Sequence, residues 1–379
     1  MKNRKLALLI NFIPPYHIPT FKILAGNVGA FRIFISTPME PNRNWTPNWS
    51  GLNVVVQHSF TIRSRWKHPQ GFSDSAYVQI PYDTIVHLIR ERPDVVISTE
   101  MGFRSMIALL YRLINRSSRI IFWLPLSEHT EKGRGWMRNL IRKLFIQRGD
   151  AFFVNGESGA RYIRQHGVNE EQIFRVAYPT DKEKFFITDV ERSETAAHRL
   201  LYIGQLIERK GILPFLDALV QWASNHPKRT INFHIVGEGK LGSKISQVPL
   251  PANLKLILKG SLPYEQLKGI YAQAGILAFP TFADEWGIVV NEALISGLPV
   301  LGSIYSQAVE ELVDDGETGW IFVPDDPLDV YRAIDIAMNT PNDTLNNMRK
   351  VGQAKALGCS PDRIVESMLK AVSYVCGES

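Results

Sequence analysis

The chain has 379 residues, 45% of them hydrophobic and 21% charged, which is more than one compact core organises and suits two domains of ordinary size. No stretch is of low complexity, and no apolar run approaches the roughly 20 residues of a membrane span, so a fully folded chain is expected. The formal charge of +6 is unevenly divided: residues 1–180 carry 24 Lys and Arg against 12 Asp and Glu, a balance of +12, and residues 181–379 carry 19 against 25, a balance of −6.

At the N-terminus, basic Met1–Lys5 and the apolar run Leu6–Ile10 mimic a signal peptide. The run is shorter than the roughly 7–15 residues such a signal needs, no small-residue cleavage site follows, and Pro14-Pro15 interrupts it. It reads as the first buried strand, followed by strands at Phe31–Ile35, Asp94–Ser98, Ile120–Leu124 and Ala151–Val154. Helical patterns lie between them at Ser105–Leu113 and Met137–Phe145. In the latter, Met137, Leu140, Ile141, Leu144 and Phe145 share one face and cations occupy the others. That apolar face is expected to pack on the sheet, while the cations are either merely solvated or attracted to an anionic membrane.

The halves divide near Tyr178-Pro179-Thr180-Asp181, where Pro179 restrains its predecessor and a charged stretch follows. Further strands are expected at Arg199–Ile203, Phe233–Val236, Leu254–Leu258, Ile276–Phe279 and Pro299–Gly302. Short strands bounded by Gly or Pro and alternating with helices imply parallel sheets covered on both faces. The expected fold is therefore α/β: two doubly wound, Rossmann-like domains, 1–180 and 181–360, facing a cleft, with ligands beyond the carboxyl ends of the strands. An amphipathic helix within 361–379 is expected to pack back on the first domain. Cys359 and Cys376 have no metal-ligand spacing and are too few for a disulfide framework, so a reducing, cytoplasmic setting is expected.

Three segments of the second half carry candidate chemistry. Tyr202–Gly211 is a strand–loop–helix turn with Arg209 and Lys210 at its lip, either phosphate-binding cations or solvated ones. His234–Gly239 is a strand entering a Gly-rich turn, a weak signal by itself. Pro280–Ala293 follows a strand and enters a helix expected to begin at Asp284, so the amides of Trp286, Gly287 and Ile288 would face a ligand and Gly287 would let it approach. Glu292 stands eight residues on, about two turns if the helix is continuous. Asp284 and Glu292 either hold sugar and ribose hydroxyls or are a helix cap and a solvated acid; the spacing does not choose.

Taken in order, Gly204–Gly211, Val236-Gly237-Glu238-Gly239, Gly260, Phe279-Pro280-Thr281, Trp286-Gly287, Asn291-Glu292-Ala293, Gly297-Leu298-Pro299-Val300 and Glu311–Gly316 with Gly319 resemble the nucleotide-binding domain of family 4 glycosyltransferases of GT-B architecture. The resemblance covers most of residues 199–326. It implies retaining transfer from a nucleotide-diphosphate sugar to a glycan or lipid-linked hydroxyl acceptor, in polysaccharide, lipopolysaccharide or glycolipid synthesis. It also implies the donor contacts Gly204, Arg209, Lys210, Trp286, Gly287, Ile288 and Glu292, with Asp284 at the first position of the family's acidic pair. Asp replaces the family's Glu there, and Gln205 stands where the family has Arg. In the first half, Ile13–Pro19 replaces the family's Gly-rich loop, and Glu40–Trp45 is similar to members of this subgroup. His129 stands where a family His lies near the reacting sugar; an exposed loop histidine is the other reading.

With no Asp-x-Asp triplet, neither a catalytic metal nor another cofactor is implied. The expected location is cytoplasmic, peripheral on the inner face of a membrane. The competing readings are a nucleotide-sugar epimerase of the same shape and a non-catalytic two-lobed binding protein. A nucleic-acid binder would explain the basic half but not Asp284–Glu292, and no nucleic-acid partner is expected.

Overall fold

The computed structural model describes residues 1–40, 48–68 and 71–378. Of the segment Glu40–Trp45, only Glu40 lies among them. The chain forms two compact units: Met1–Pro179 with Pro361–Ser379, and Thr180–Ser360.

The first unit contains β1 (Lys5–Ile10), β2 (Ala30–Ile35), β3 (Val54–Val56), β4 (Ser59–Lys67), β5 (Ser73–Pro81), β6 (Val95–Thr99), β7 (Arg119–Leu124), β8 (Ala151–Val154) and β9 (Ile173–Arg175). Among the described residues, seven form a parallel sheet in the order β3-β2-β1-β6-β7-β8-β9, while β4 and β5 make a separate antiparallel pair. The continuous apolar sequences of β1 and β7 follow from burial on both faces. One face meets the helices Ile18–Asn27 and Pro361–Cys376. Ile364, Val365, Met368, Ala371 and Val372 share a stripe of the latter and pack with Leu6, Leu8 and Trp123. The other face meets the helices Thr84–Glu91, Phe103–Ile114 and Trp136–Ile146 through Leu88, Ile107, Tyr111 and Ile146.

After β1, the segment Ile13–Pro19 is closed by aromatic packing. His17 is buried with its ring centroid 4.9 Å from that of Tyr178 and 5.2 Å from that of Trp123, and burial pushes its imidazole down to a pKa of about 3.

The second unit contains β10 (Leu200–Ile203), β11 (Ile231–Val236), β12 (Leu254–Leu258), β13 (Ile276–Phe279), β14 (Val300–Ser303) and β15 (Gly319–Phe322). They form a parallel sheet in the order β12-β11-β10-β13-β14-β15. The chain winds outward from β10 through β11 to β12, then resumes on the other side of β10 at β13. The winding therefore reverses between β10 and β13, where doubly wound sheets open a crevice for ligands.

Candidate active site in the second unit

Three of the loops singled out in the sequence leave the carboxyl ends of β10, β11 and β13. The first two touch through main chain: the Gly204 N–H donates to Val236 O at 3.0 Å and the Leu206 N–H to Glu238 O at 2.9 Å. A Cβ on Gly237, at φ 134°, would lie 1.9 Å from Gly204 O, so only glycine permits this approach. The β10 and β13 loops are tied more heavily. Phe282 N–H donates to Arg209 O at 2.8 Å, the Thr281 hydroxyl to the same oxygen at 3.3 Å, and Arg209 Nη1 to Ala283 O at 2.8 Å. Arg209 thus spends a guanidinium N–H on holding the β13 loop.

Lys210 lies in the short 3-10 turn Glu208–Lys210, and its Nζ pairs with Asp284 Oδ2 across the junction of the two loops. The ammonium also stands 5.4 Å from the centroid of the Phe279 ring, at the end of β13. Both side chains of the pair are mostly buried, so their attraction is stronger than that of an exposed pair. Glu285, one residue on, is exposed.

The helix after this loop is shorter than the sequence suggests. It runs Ile288–Ile295 with Gly287 as its N-cap, so Asp284 is not its cap, and the two acids do not stack along one helix. Asp284 is instead fixed in the loop by an isolated parallel bridge to Ser306. The first-turn amides without intrahelical partners are those of Ile288 and Val289, because the Val290 N–H already reaches Gly287 O at 2.9 Å. The amide of Trp286 lies ahead of the helix, and its indole is buried with Nε1 donating to Asn291 Oδ1 at 2.7 Å. Trp286 therefore braces the loop from below. Gly287 has φ 107°, and a Cβ there would meet the Phe279 ring at 2.7 Å, so packing and backbone both demand glycine.

Glu292 is no solvated acid. It is 3% exposed, and Tyr271 donates its hydroxyl to Oε2 at 2.8 Å. Burial raises its carboxyl to a pKa of about 7, opposed by hydrogen bonds from Tyr271 and Tyr264. Lys184, 4.0 Å from the centroid of the Tyr264 ring, and Asp181 act on it with opposite charge. On the other side of the helix, Asn291 Nδ2 donates to the Thr180 hydroxyl at 3.1 Å. Sequence reading passed over Tyr264, Tyr271, Thr180 and Lys184 because they come from distant segments with no local signature.

His129 lies in the first unit, on the short helix Glu128–Glu131 beyond β7, and is half-buried. Ser127 and Thr130 form a reciprocal capping box around that turn.

These loops gather at the point where the winding of the second sheet reverses. Residues 183–355, nearly the whole second unit, match the family model of glycosyl transferases group 1. The second unit is thus similar to the group 1 glycosyl transferases. The full chain is similar in structure to Anabaena HepE in complex with UDP, at TM-score 0.71 and 14% identity over 97% of this chain and 99% of that one. It is similar also to the lipopolysaccharide outer core galactosyltransferase WaaB, at TM-score 0.70 and 14% identity over 97% and 99%. The fold is GT-B.

Among curated proteins, a Campylobacter jejuni enzyme named GalNAc-alpha-(1->4)-GalNAc-alpha-(1->3)-diNAcBac-PP-undecaprenol alpha-1,4-N-acetyl-D-galactosaminyltransferase is 22% identical over 60% of this chain and 62% of its own length. A Corynebacterium jeikeium D-inositol 3-phosphate glycosyltransferase is 28% identical over 51% of this chain and 50% of its own. The matched part thus spans between half and two thirds of these two relatives.

Proposed function

We propose that the chain is a family 4 glycosyltransferase. It moves a sugar from a nucleotide-diphosphate donor to a hydroxyl of a glycan or lipid-linked acceptor, with retention at the anomeric carbon. The observation that carries this reading is the Lys210–Asp284 pair spanning the switch point of the second sheet, inside the segment that matches group 1. In the donor complex the diphosphate takes the Lys210 ammonium and the amides of Ile288 and Val289 as its partners, and Asp284 turns to a hydroxyl of the sugar. Glu292 accepts from the ribose hydroxyls. Negative charge grows on the diphosphate as the sugar departs, so a cation already held at the junction of the two loops lowers the barrier. Lys210 and the amides supply the positive charge, and we assign no metal to the reaction.

Removing Lys210 is expected to lower kcat by on the order of 100- to 1,000-fold. Lys210→Ala with full activity would remove the assignment. An acceptor-free assay distinguishes an epimerase, which converts donor alone. Because HepE binds UDP, a UDP-sugar is the first donor to test. We assign His129 a part in turnover; His129→Ala should lower kcat and leave UDP affinity unchanged.

We also place the protein peripherally on an anionic membrane, through the helix Trp136–Ile146. No helix among the described residues is long and apolar enough to cross a membrane. The expectation that this helix packs its apolar stripe on the sheet holds for Phe145, which meets Phe122, and is overturned for Met137, Leu140, Ile141 and Leu144, which are exposed beside Trp136, itself exposed by 76%. Ile146 and Arg142 face inward instead, because Arg142 Nη2 donates at 2.6 Å to Oε1 of buried Glu131 and draws the polar side down. Lys132, Arg138 and Lys143 are exposed around the apolar stripe. Apolar residues flanked by cations match an interface of acyl chains and anionic headgroups, whereas a second copy would set cations against cations.

A further inference from the structure

In the first unit the winding reverses between β1 and β6, since the chain runs from β1 outward to β2 and β3 and resumes beside β1 at β6. The carboxyl ends at that point carry Asn11, after β1, Ser36, after β2, and Glu100, after β6. Arg104 lies in the first turn of the helix Phe103–Ile114.

These four form one hydrogen-bonded cluster. Arg104 is 4% exposed; its Nη1 donates to Ser36 Oγ at 2.9 Å and to Asn11 Oδ1, and its Nη2 donates to Glu100 Oε2 at 3.1 Å. Asn11 Nδ2 donates to Glu100 Oε1 at 3.1 Å. Each carboxylate oxygen therefore has one protein donor, and the Glu100 side chain remains 52% exposed. The Glu100 backbone is left-handed, φ 64°, which residues other than glycine adopt rarely. It is held there by the Ser105 hydroxyl on Glu100 O and by the Glu100 N–H on Trp123 O at 2.9 Å. Such conformations persist where surrounding bonds over-determine them and cluster at binding sites.

We propose that Glu100 is the acceptor-recognising carboxylate of the first unit and that it takes vicinal hydroxyls of a sugar. A carboxylate offers about four lone-pair sites, and the two protein donors leave roughly two. Only a ligand that donates can use them. A cation gains little because the buried Arg104 already neutralises Glu100, and an anion brings no proton to share with the two oxygens. Neutral hydroxyls, two at once and adjacent, match the two oxygens. Arg104 and Asn11 are positioning residues: Arg104 Nη1 ties Ser36 and Asn11 together, while Arg104 Nη2 and Asn11 Nδ2 orient Glu100. The inference rests on the glycosyl-transfer reading of the second unit.

The test is saturation-transfer NMR of the full chain with methyl α-D-glucopyranoside and methyl α-N-acetyl-D-galactosaminide, alongside calorimetric titration with UDP. At least one glycoside should bind the wild type. Glu100→Gln, which presents an amide donor in place of one oxygen, should weaken that binding at least about tenfold, Glu100→Asp should restore part of it, and UDP affinity and thermal unfolding should not move. Equal binding by Glu100→Gln, or no binding of either glycoside to a wild type that binds UDP, overturns the acceptor site. Glycoside loss together with a lowered unfolding temperature in both Glu100→Gln and Asn11→Ala overturns it in favour of a structural cluster. A wild type that binds neither UDP nor UDP-sugars removes the glycosyl-transfer reading itself, and the acceptor site with it.

Discussion

The two units share a doubly wound plan but differ in how they use it. In the second, the crevice is built from glycines at close main-chain contacts, and its charges cancel in pairs, Lys210 with Asp284. In the first, the loop after β1 is filled by His17 among aromatic rings, the surface exposes apolar side chains beside cations, and the polar cluster centres on Glu100. A rigid crevice lined by backbone suits a constant ligand such as a nucleotide. A site built from side chains on the same scaffold suits a ligand that differs between enzymes.

Substitutions in each unit can break this division of labour. The largest effect is expected from Lys210→Ala, a collapse of kcat measured by donor turnover, with the fold intact. An equal fall in acceptor binding and donor binding would blur the two units. His129→Ala should come next, lowering kcat alone.

Glu292 gives the second unit a pH signature of its own. Its carboxyl is raised from the ordinary range to about 7, so the folded chain holds a proton that the unfolded chain releases near 4.5. Its contribution to stability is therefore complete at lower pH and is lost as pH rises through about 7. Nucleotide binding moves oppositely, because ribose hydroxyls need the ionised acceptor: UDP affinity should rise by about tenfold between pH 6 and pH 8. Glu292→Gln should flatten both profiles. The same slopes in Glu292→Gln would assign them to another group.

Smaller again is the membrane effect. Leu140→Glu with Leu144→Glu should reduce co-sedimentation with phosphatidylglycerol vesicles on the order of tenfold, with little change on phosphatidylcholine and none in UDP affinity. Unchanged sedimentation, or a concentration-dependent dimer that the double variant abolishes, would remove the membrane from the account.

The buried strands were legible because parallel sheets demand continuous apolar runs: β1, β7 and β13 stand close to their expected positions. The β4–β5 pair was hidden, since Arg63, Arg65 and Lys67 break the apolar pattern on a strand that, among the described residues, pairs with β5 alone. Periodicity also found the stripe from Met137 to Leu144 but not the direction it faces, which Glu131 decides by drawing Arg142 inward. At the candidate site, motif order led to Lys210, Asp284 and Glu292. It did not show that the helix starts only at Ile288, nor that Glu292 is buried with the Tyr271 hydroxyl donating to it, because both depend on partners far away in the chain. Glu100 and Arg104 went unnoticed because Asn11 and Ser36, which complete their cluster, lie more than 60 residues before them.

The most direct test of the account is calorimetric titration of the wild type and Lys210→Ala with UDP, GDP, ADP and dTDP. One of these nucleotides, UDP first, should bind at a single site, and Lys210→Ala should weaken it by at least about tenfold. Failure of all four to bind the wild type, or equal affinity in Lys210→Ala, would contradict the account.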